Sequence, residues 1–355
     1  MSYVELFAIS NFTFLTGASH AEELVTRARK LSLGGLAIAD TNTFAGIVRG
    51  HTAAKELGLR YLVATRLKLV DGTEILAYPR DRKAFGQLSR LLTLGKRRTV
   101  KGECDLSLKD VLDYADNCIL IGLSGPDFGA TLETLKTAFD DHVFVGLLPG
   151  YDGQDPARFA RVHELADQAG LETVALGNVI MHTAGRLRLA DVLSCIREKT
   201  TIDELGRRAL PNAERRIKSE FEMRRLFQAY PDAVANTARI AKACPFSLDE
   251  LRYEYPDEIS DGLEPNERLR KLTEEVLVRR YPDAVPLKVR SMVEKELRLI
   301  SELDYARYFL TVHDVVTFAR SKGILCQGRG SAANSVVCYA LGITEASPDM
   351  ITMVF

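Results

Sequence analysis

From residue 1 to about 245, short apolar runs alternate with amphipathic stretches. No other feature restricts the possible folds of this chain as strongly. The runs Tyr3–Ile9, Gly35–Ala39, Tyr61–Leu69, Glu74–Tyr78, Cys118–Leu123, Val143–Leu148 and Thr173–Val179 read as strands. Repeated strand–helix alternation predicts parallel strands covered by helices. Seven such strands predict a barrel-like α/β domain. Helix starts are visible between them. Ser19 and Glu22 fit a capping box, after which Leu24, Ala28 and Leu31 share a face. Asp155-Pro156 reads as an N-cap followed by proline at the first helical position, opening Ala157–Ala169.

The pattern changes around Cys244–Asp261, where prolines, acids and aromatics interrupt the alternation. The reading places a first domain at residues 1–245 and a second at 246–355. In the second, Pro265–Tyr281 carries Leu269, Leu272, Val276 and Leu277 on one helical face. Pro286–Leu303 carries Val289, Met292, Val293, Leu297 and Ile300 likewise. Tyr305–Leu310 leads into a helix over His313–Lys322 bearing Val315, Val316 and Ala319. Its starting pair, His313-Asp314, reads as capping.

The stretch Gly323–Ile343, GILCQGRGSAANSVVCYALGI, combines three parts. Ile324, Leu325 and Cys326 read as a buried strand. Gln327 to Ser331 reads as a glycine-flanked turn, and Ala332–Leu341 as a buried helix. A tight turn entering a helix suits an anion. Glycines allow close approach of backbone N–H groups, and the helix start adds unsatisfied donors. Ser331 can donate a hydroxyl, and Arg329 can fork onto phosphate oxygens. Taken alone, the GRGS pattern equally fits a plain strand-to-helix turn.

Composition sets outer bounds. The chain has 355 residues, 46% hydrophobic and 27% charged, which allows two globular domains. Formal net charge is −1, so bulk charge does not announce nucleic-acid binding, although a local basic face remains compatible. Lys96-Arg97-Arg98 and Lys101 lie in a Gly-flanked loop that can either be solvated or contact a phosphate backbone. Arg186–Arg225 holds eleven Lys/Arg against seven Asp/Glu and is the richest basic segment of the first domain. Six cysteines without a C-x-x-C pair read as buried small hydrophobes in a reducing compartment. No apolar run has the length of a membrane span, and the N-terminus lacks a basic signal-peptide start. The expected location is cytoplasmic.

The segment HDVVTFARSKGILCQGRGSAANSVVCYALGIT resembles the palm of bacterial C-family DNA polymerases, the replicase alpha-subunit family. Cys326-Gln327 before the turn and Asn334-Ser335 after it resemble that family's error-prone branch. The resemblance implies that Gly330 and Ser331, with Gly328 and Arg329, hold an incoming nucleotide's triphosphate. Tyr3–Ser19, YVELFAISNFTFLTGAS, resembles the opening of the polymerase and histidinol phosphatase (PHP) domain. That implies a distorted (β/α)7 barrel, then a mostly helical linker and the incomplete start of a polymerase-beta-like palm. Active PHP domains hold up to three metal ions and hydrolyse phosphoesters.

This chain departs from that ligand set. The His-x-His positions are Phe7 and Ile9, and the following ligand positions are Thr16, Thr41, Arg66, Asn178 and Ile180. A degenerate site filled by apolar side chains and one guanidinium is the expectation. A single residual metal at Asp40, His51 and His182 is the alternative, while His20, His142 and His163 read as surface or packing residues. The resemblance implies that aspartates in an Asp-x-Asp motif hold the magnesium for nucleotidyl transfer, and no Asp-x-Asp occurs in the 355 residues. The resemblance therefore implies the N-terminal part of an error-prone DNA-directed DNA polymerase linked to repair and translesion synthesis. By itself this part is expected to be inactive and to bind no cofactor. Primed DNA, dNTPs, a sliding clamp and accessory mutagenesis subunits are the implied partners, with no membrane. The alternatives are a PHP-type metal-dependent phosphoesterase or exonuclease, and a non-catalytic scaffold.

Overall fold

A computed structural model describes residues 2–252, 255 and 262–347. The backbone forms two compact units, Met1–Leu251 and Arg252–Phe355. The first is built on seven strands: β1 (Val4–Ala8), β2 (Gly35–Thr41), β3 (Tyr61–Lys68), β4 (Glu74–Pro79), β5 (Cys118–Ser124), β6 (Val143–Leu147) and β7 (Glu172–Ala175). They lie in one sheet in chain order. After β7 the chain meets β1 again. Val179 bridges Ala8 in parallel, with Ile9 N–H donating to Val179 O (2.9 Å) and Val179 N–H donating to Phe7 O (2.9 Å). The sheet therefore curls into a distorted barrel.

Alternation of side chains along the strands sorts the core into layers. On β2, Ala37 and Ala39 pack inside the barrel while Leu36 and Ile38 face helices. On β5, Ile119 and Ile121 point in, and Cys118 and Leu120 point out. The outer layer comprises α1 (Ala21–Lys30), α2 (Ile47–Leu57), α3 (Arg82–Arg97), α4 (Leu108–Tyr114), α5 (Phe128–Phe139) and α6 (Asp155–Gln168). It continues through α7 (Leu187–Glu198), α8 (Ile202–Leu205), α9 (Glu220–Leu226) and α10 (Pro231–Ala243).

Three sequence expectations are corrected here. The strands are not all parallel, because β4 runs antiparallel to both β3 and β5. The link of residues 69–73 is too short for the crossover that a parallel pair needs, so it closes a hairpin. At α1, His20 rather than Ser19 precedes the helix, and Glu23 accepts from the His20 N–H at 2.9 Å. Ser19 is occupied elsewhere: its hydroxyl accepts from the His182 backbone N–H and contacts the His182 ring Nδ1. At α6, Asp155 is the first helical residue rather than the cap. Its carboxylate instead accepts from the N–H groups of Gly150 (2.7 Å) and Tyr151 (3.1 Å).

The first unit extends past the expected boundary at 245. Phe246 is buried beside Ile47 and Val63 and stacks on Phe85 at 5.2 Å between ring centroids. The second unit is helical: α11 (Pro265–Arg280), α12 (Leu287–Glu302), α13 (Ala306–Ser321) and α14 (Val336–Ala340). Leu269 and Leu277 of α11 pack with Val289, Val293, Leu297 and Ile300 of α12. His313 and Asp314 lie in the middle of α13, so capping does not explain them; they contact each other at 3.2 Å. The expected buried strand at Ile324–Cys326 is not formed. Leu325 is 100% exposed and Ile324 56%. Strand geometry needs a partner ladder, and no strand occurs among the described residues of this unit.

Candidate functional site

Where a metal-dependent barrel would hold ions, this one holds grease and guanidinium. Phe7 and Ile9 are 2% and 1% exposed, and Ile180 is 3% exposed. Arg66, on β3, donates from Nε (3.0 Å) and Nη2 (2.7 Å) to Thr41 Oγ1 and sits 5.7 Å from the Phe7 ring centroid. Its Nη1 is 3.7 Å from Glu74. Asn178 accepts from Arg215 Nη2 at 2.5 Å and donates to Pro149 O at 3.0 Å. Burial, then the nearby Arg66 charge, push the Arg215 guanidinium down to about 10, which leaves it charged at neutral pH. Two arginines thus stand where cations would have to bind. Among the described residues no group of three or more His, Cys, Asp or Glu side chains could hold a metal ion. The donor set does not fit the metal centre that PHP domains imply.

Asp40 retains a carboxylate, but it is committed to one backbone N–H and two hydroxyls of the loop at the mouth. It accepts from Ser10 N (2.8 Å), Ser10 Oγ (2.7 Å) and Thr13 Oγ1 (2.7 Å). Burial raises its pKa, and the Ser10 and Thr13 hydrogen bonds oppose the rise. This pins the loop 10–17, which turns so tightly that a Cβ on Gly17 would lie 1.9 Å from Ser10 O. Asp40, His51 and His182 do not assemble a site. His51 pairs with Asp249 at 3.3 Å, and His182 Nδ1 contacts Ser19 Oγ at 2.7 Å. Burial lowers the His182 pKa. The other histidines are also engaged: His20 precedes α1, His142 contacts Arg80, and His163 lies 3.7 Å from Asp167.

The mouth opens into a cleft of about 650 Å³ lined by Thr16, Thr41 and Arg66 together with Lys68, Lys96 and Lys101. Lys96 ends α3 rather than lying in a loop. Arg98, its neighbour in the sequence run, is instead spent on Asp110 through two bonds of 2.7 and 2.9 Å, which hold that carboxyl well below the usual range. The richest basic segment by count spends part of its charge on ion pairs. Arg186 pairs with Glu23, Arg216 with Glu222 (2.7 Å), Lys218 with Glu214 (3.2 Å) and Arg224 with Glu220 (2.7 Å).

In the second unit the turn expected to bind triphosphate is open. Arg329, Gly330 and Ser331 are exposed, and Gly330 has φ +63°, a conformation that favours glycine. Neither the Arg329 nor the Ser331 side chain has a hydrogen-bond or ion-pair partner among the described residues. Gly328 N–H donates to Ile343 O at 2.6 Å. The expected long helix is divided. A 3-10 turn covers Gly330–Asn334, and α14 begins only at Val336. The donors at that helix start are already taken. Glu296 of α12 accepts from Val336 N (2.9 Å), Val337 N (3.3 Å) and the Ser335 hydroxyl, and Cys338 N donates to Ser335 Oγ (2.9 Å). Burial raises the Glu296 pKa. Sequence reasoning missed Glu296. Its signal was an acid between Val293 and Leu297, at the edge of an apolar stripe.

Comparison with known proteins adds the following. The family profile described as "PHP domain" matches residues 8–168. That described as "Bacterial DNA polymerase III alpha NTPase domain" matches residues 267–355. A protein of Ruegeria pomeroyi named "Error-prone DNA polymerase" is 48% identical over 100% of this chain and 36% of its own. One of Rhizobium meliloti named "Error-prone DNA polymerase 1" is 45% identical over 99% of this chain and 32% of its own. The chain thus spans about a third of the length of these relatives. A solved metal-dependent phosphoesterase from Bifidobacterium adolescentis overlaps 49% of this chain and 86% of its own at TM-score 0.38 and 16% identity, too distant to carry an argument.

Proposed function

We propose that this chain, whose residues 8–168 match the PHP profile and 267–355 the bacterial DNA polymerase III alpha NTPase profile, is the N-terminal part of an error-prone DNA-directed DNA polymerase acting in DNA repair in the cytoplasm. The supporting observation is the likeness to proteins of that name over essentially the whole chain. In this reading residues 246–355 begin the palm. Gly328, Arg329, Gly330 and Ser331 receive the triphosphate of an incoming nucleotide. The unpartnered Arg329 and Ser331 side chains and the left-handed Gly330 support that assignment. Arg329 can grip phosphate oxygens in a fork, and Ser331 can donate one further hydrogen bond. Because Glu296 fills the α14 start, the phosphate contacts come from the turn itself.

Nucleotidyl transfer needs two divalent ions about 4 Å apart, held by carboxylates. No Asp-x-Asp is present in these residues, so magnesium ligands are assigned outside them and the 355-residue chain does not itself extend DNA. The barrel, with Phe7, Ile9 and Arg66 at ligand positions, supports the polymerase rather than hydrolysing phosphoesters. A sliding clamp and accessory mutagenesis subunits follow from the resemblance alone. Extension of primed DNA should be compared for the 355-residue chain and for a longer form containing an Asp-x-Asp. Activity only in the longer form is expected. Extension by the short chain, or none by the longer one, would contradict the assignment.

A further inference from the structure

We propose that the cleft at the barrel mouth binds single-stranded nucleic acid, gripping its phosphates with lysines and stacking a base on Phe14. The cleft carries four cations, Arg66, Lys68, Lys96 and Lys101, against one carboxylate, Glu103, which accepts from the Thr99 hydroxyl at 3.0 Å. Lys68, Lys96 and Lys101 are exposed and have no acidic partner among the described residues. In segment 186–225, by comparison, Arg216, Lys218 and Arg224 pair with carboxylates of the same segment and Arg186 with Glu23. Unpaired like charges around one concavity repel one another until a polyanion arrives. The chain as a whole has a net charge of −1, so the attraction is local to this cleft.

Geometry narrows the ligand. Thr41 fixes the Arg66 guanidinium through two hydrogen bonds, so that charge is held in place before a ligand binds. Phe14 borders the same cleft and is 81% exposed. Its loop is nonetheless anchored on both sides. Thr13 donates to Asp40, and Arg197 donates to Leu15 O at 2.7 Å. A large apolar ring held out in water beside unpaired cations matches a stacking platform next to a phosphate track. Bases of a duplex are stacked on each other and leave no free face for Phe14, which selects a single strand. A volume of about 650 Å³ has room for a nucleotide rather than a bare phosphate alone. No step of this inference requires nucleotide addition or the turn at Gly330.

The test uses the 355-residue chain and a fluorescent oligothymidylate of about 12 nucleotides, followed by anisotropy across a salt series. Lys68→Ala, Lys96→Ala and Lys101→Ala together should weaken binding. They should also flatten the slope of log affinity against log salt by about 2, since each single-strand phosphate contact contributes about 0.7. Phe14→Ala should weaken binding about tenfold or more. All four side chains are exposed, so melting temperatures should match the parent and exclude misfolding. Arg329→Ala should bind like the parent, which separates this site from the proposed triphosphate turn. An unchanged salt slope in the triple variant would overturn the proposal. So would loss in the lysine variant with none in Phe14→Ala, which would reassign the cleft to a bare phosphate. Equal affinity for a duplex of the same length would also overturn it.

Discussion

Replacing Glu5 by glutamine should make the first unit more stable at pH 8 relative to its parent than at pH 4.5. Glu5 lies on β1, 1% exposed. Its carboxylate accepts from the Tyr3 hydroxyl (2.8 Å), Phe7 N (2.9 Å) and Gly177 N (3.1 Å). Burial nevertheless outweighs these bonds and lifts its pKa from 4.5 to about 7. Below about pH 4.5 the group is protonated whether the chain is folded or unfolded. Between 4.5 and 7 the unfolded chain has shed its proton while the folded one keeps it, so stability falls as pH rises. Above about 7 both forms are ionised and the loss is complete. A gap of about 2.5 pH units at about 1.36 kcal/mol each corresponds to about 3 kcal/mol. Glutamine preserves the acceptor for Phe7 and Gly177 without titrating. The chain has no tryptophan, so urea unfolding is best followed by far-UV circular dichroism. The stability of Glu5→Gln minus that of the parent should climb by about 3 kcal/mol from pH 4.5 to pH 8. A difference flat with pH would show that Glu5 is not held protonated by its surroundings.

Other perturbations address other parts of the structure. Glu296→Ala removes the acceptor of two backbone donors at α14 and should destabilise the second unit by about 1–2 kcal/mol in chemical denaturation; no change would mean water satisfies those donors equally well. Asp40→Asn leaves the Ser10 and Thr13 hydroxyls without one charged acceptor and should cost about 1–3 kcal/mol. Amide exchange across residues 10–17 should accelerate, and unaltered exchange would remove Asp40 as the loop's anchor. Phe246→Ala empties a buried ring site against Phe85 and should cost the first unit about 3–5 kcal/mol. A loss confined to the second unit would move the boundary back to 245.

Much of the barrel is legible in the sequence because each strand is an apolar run with polar residues or glycine at its ends. The expected and observed strands differ mainly at their last residues, where Leu148 and Leu176–Val179 fall outside β6 and β7. The direction of β4 was also readable, from the short link between Lys68 and Glu74, but alternation with helices obscured it. In the second unit, periodicity located α11 and α12 well, because Leu269, Leu277, Val289 and Val293 bury one face. Apolar content misled at Ile324–Cys326, since hydrophobicity does not supply a pairing partner. Charge counting at 186–225 could not show which cations are spent, because ion pairing, as between Arg186 and Glu23, depends on which elements meet. Lys68 lies far in sequence from Lys96 and Lys101 and joins them at one cleft only through the fold. Glu296 likewise meets Val336 only when α12 and α14 pack.

The chain's ligand positions at Phe7, Ile9, Thr41, Arg66 and Ile180 are the core of this account, and metal content tests them most directly. The purified 355-residue chain, exposed to zinc and manganese and then desalted, should retain well under one ion per molecule by elemental mass spectrometry. Retention of about two to three tightly held zinc or manganese ions, as a working phosphoesterase barrel requires, would contradict it.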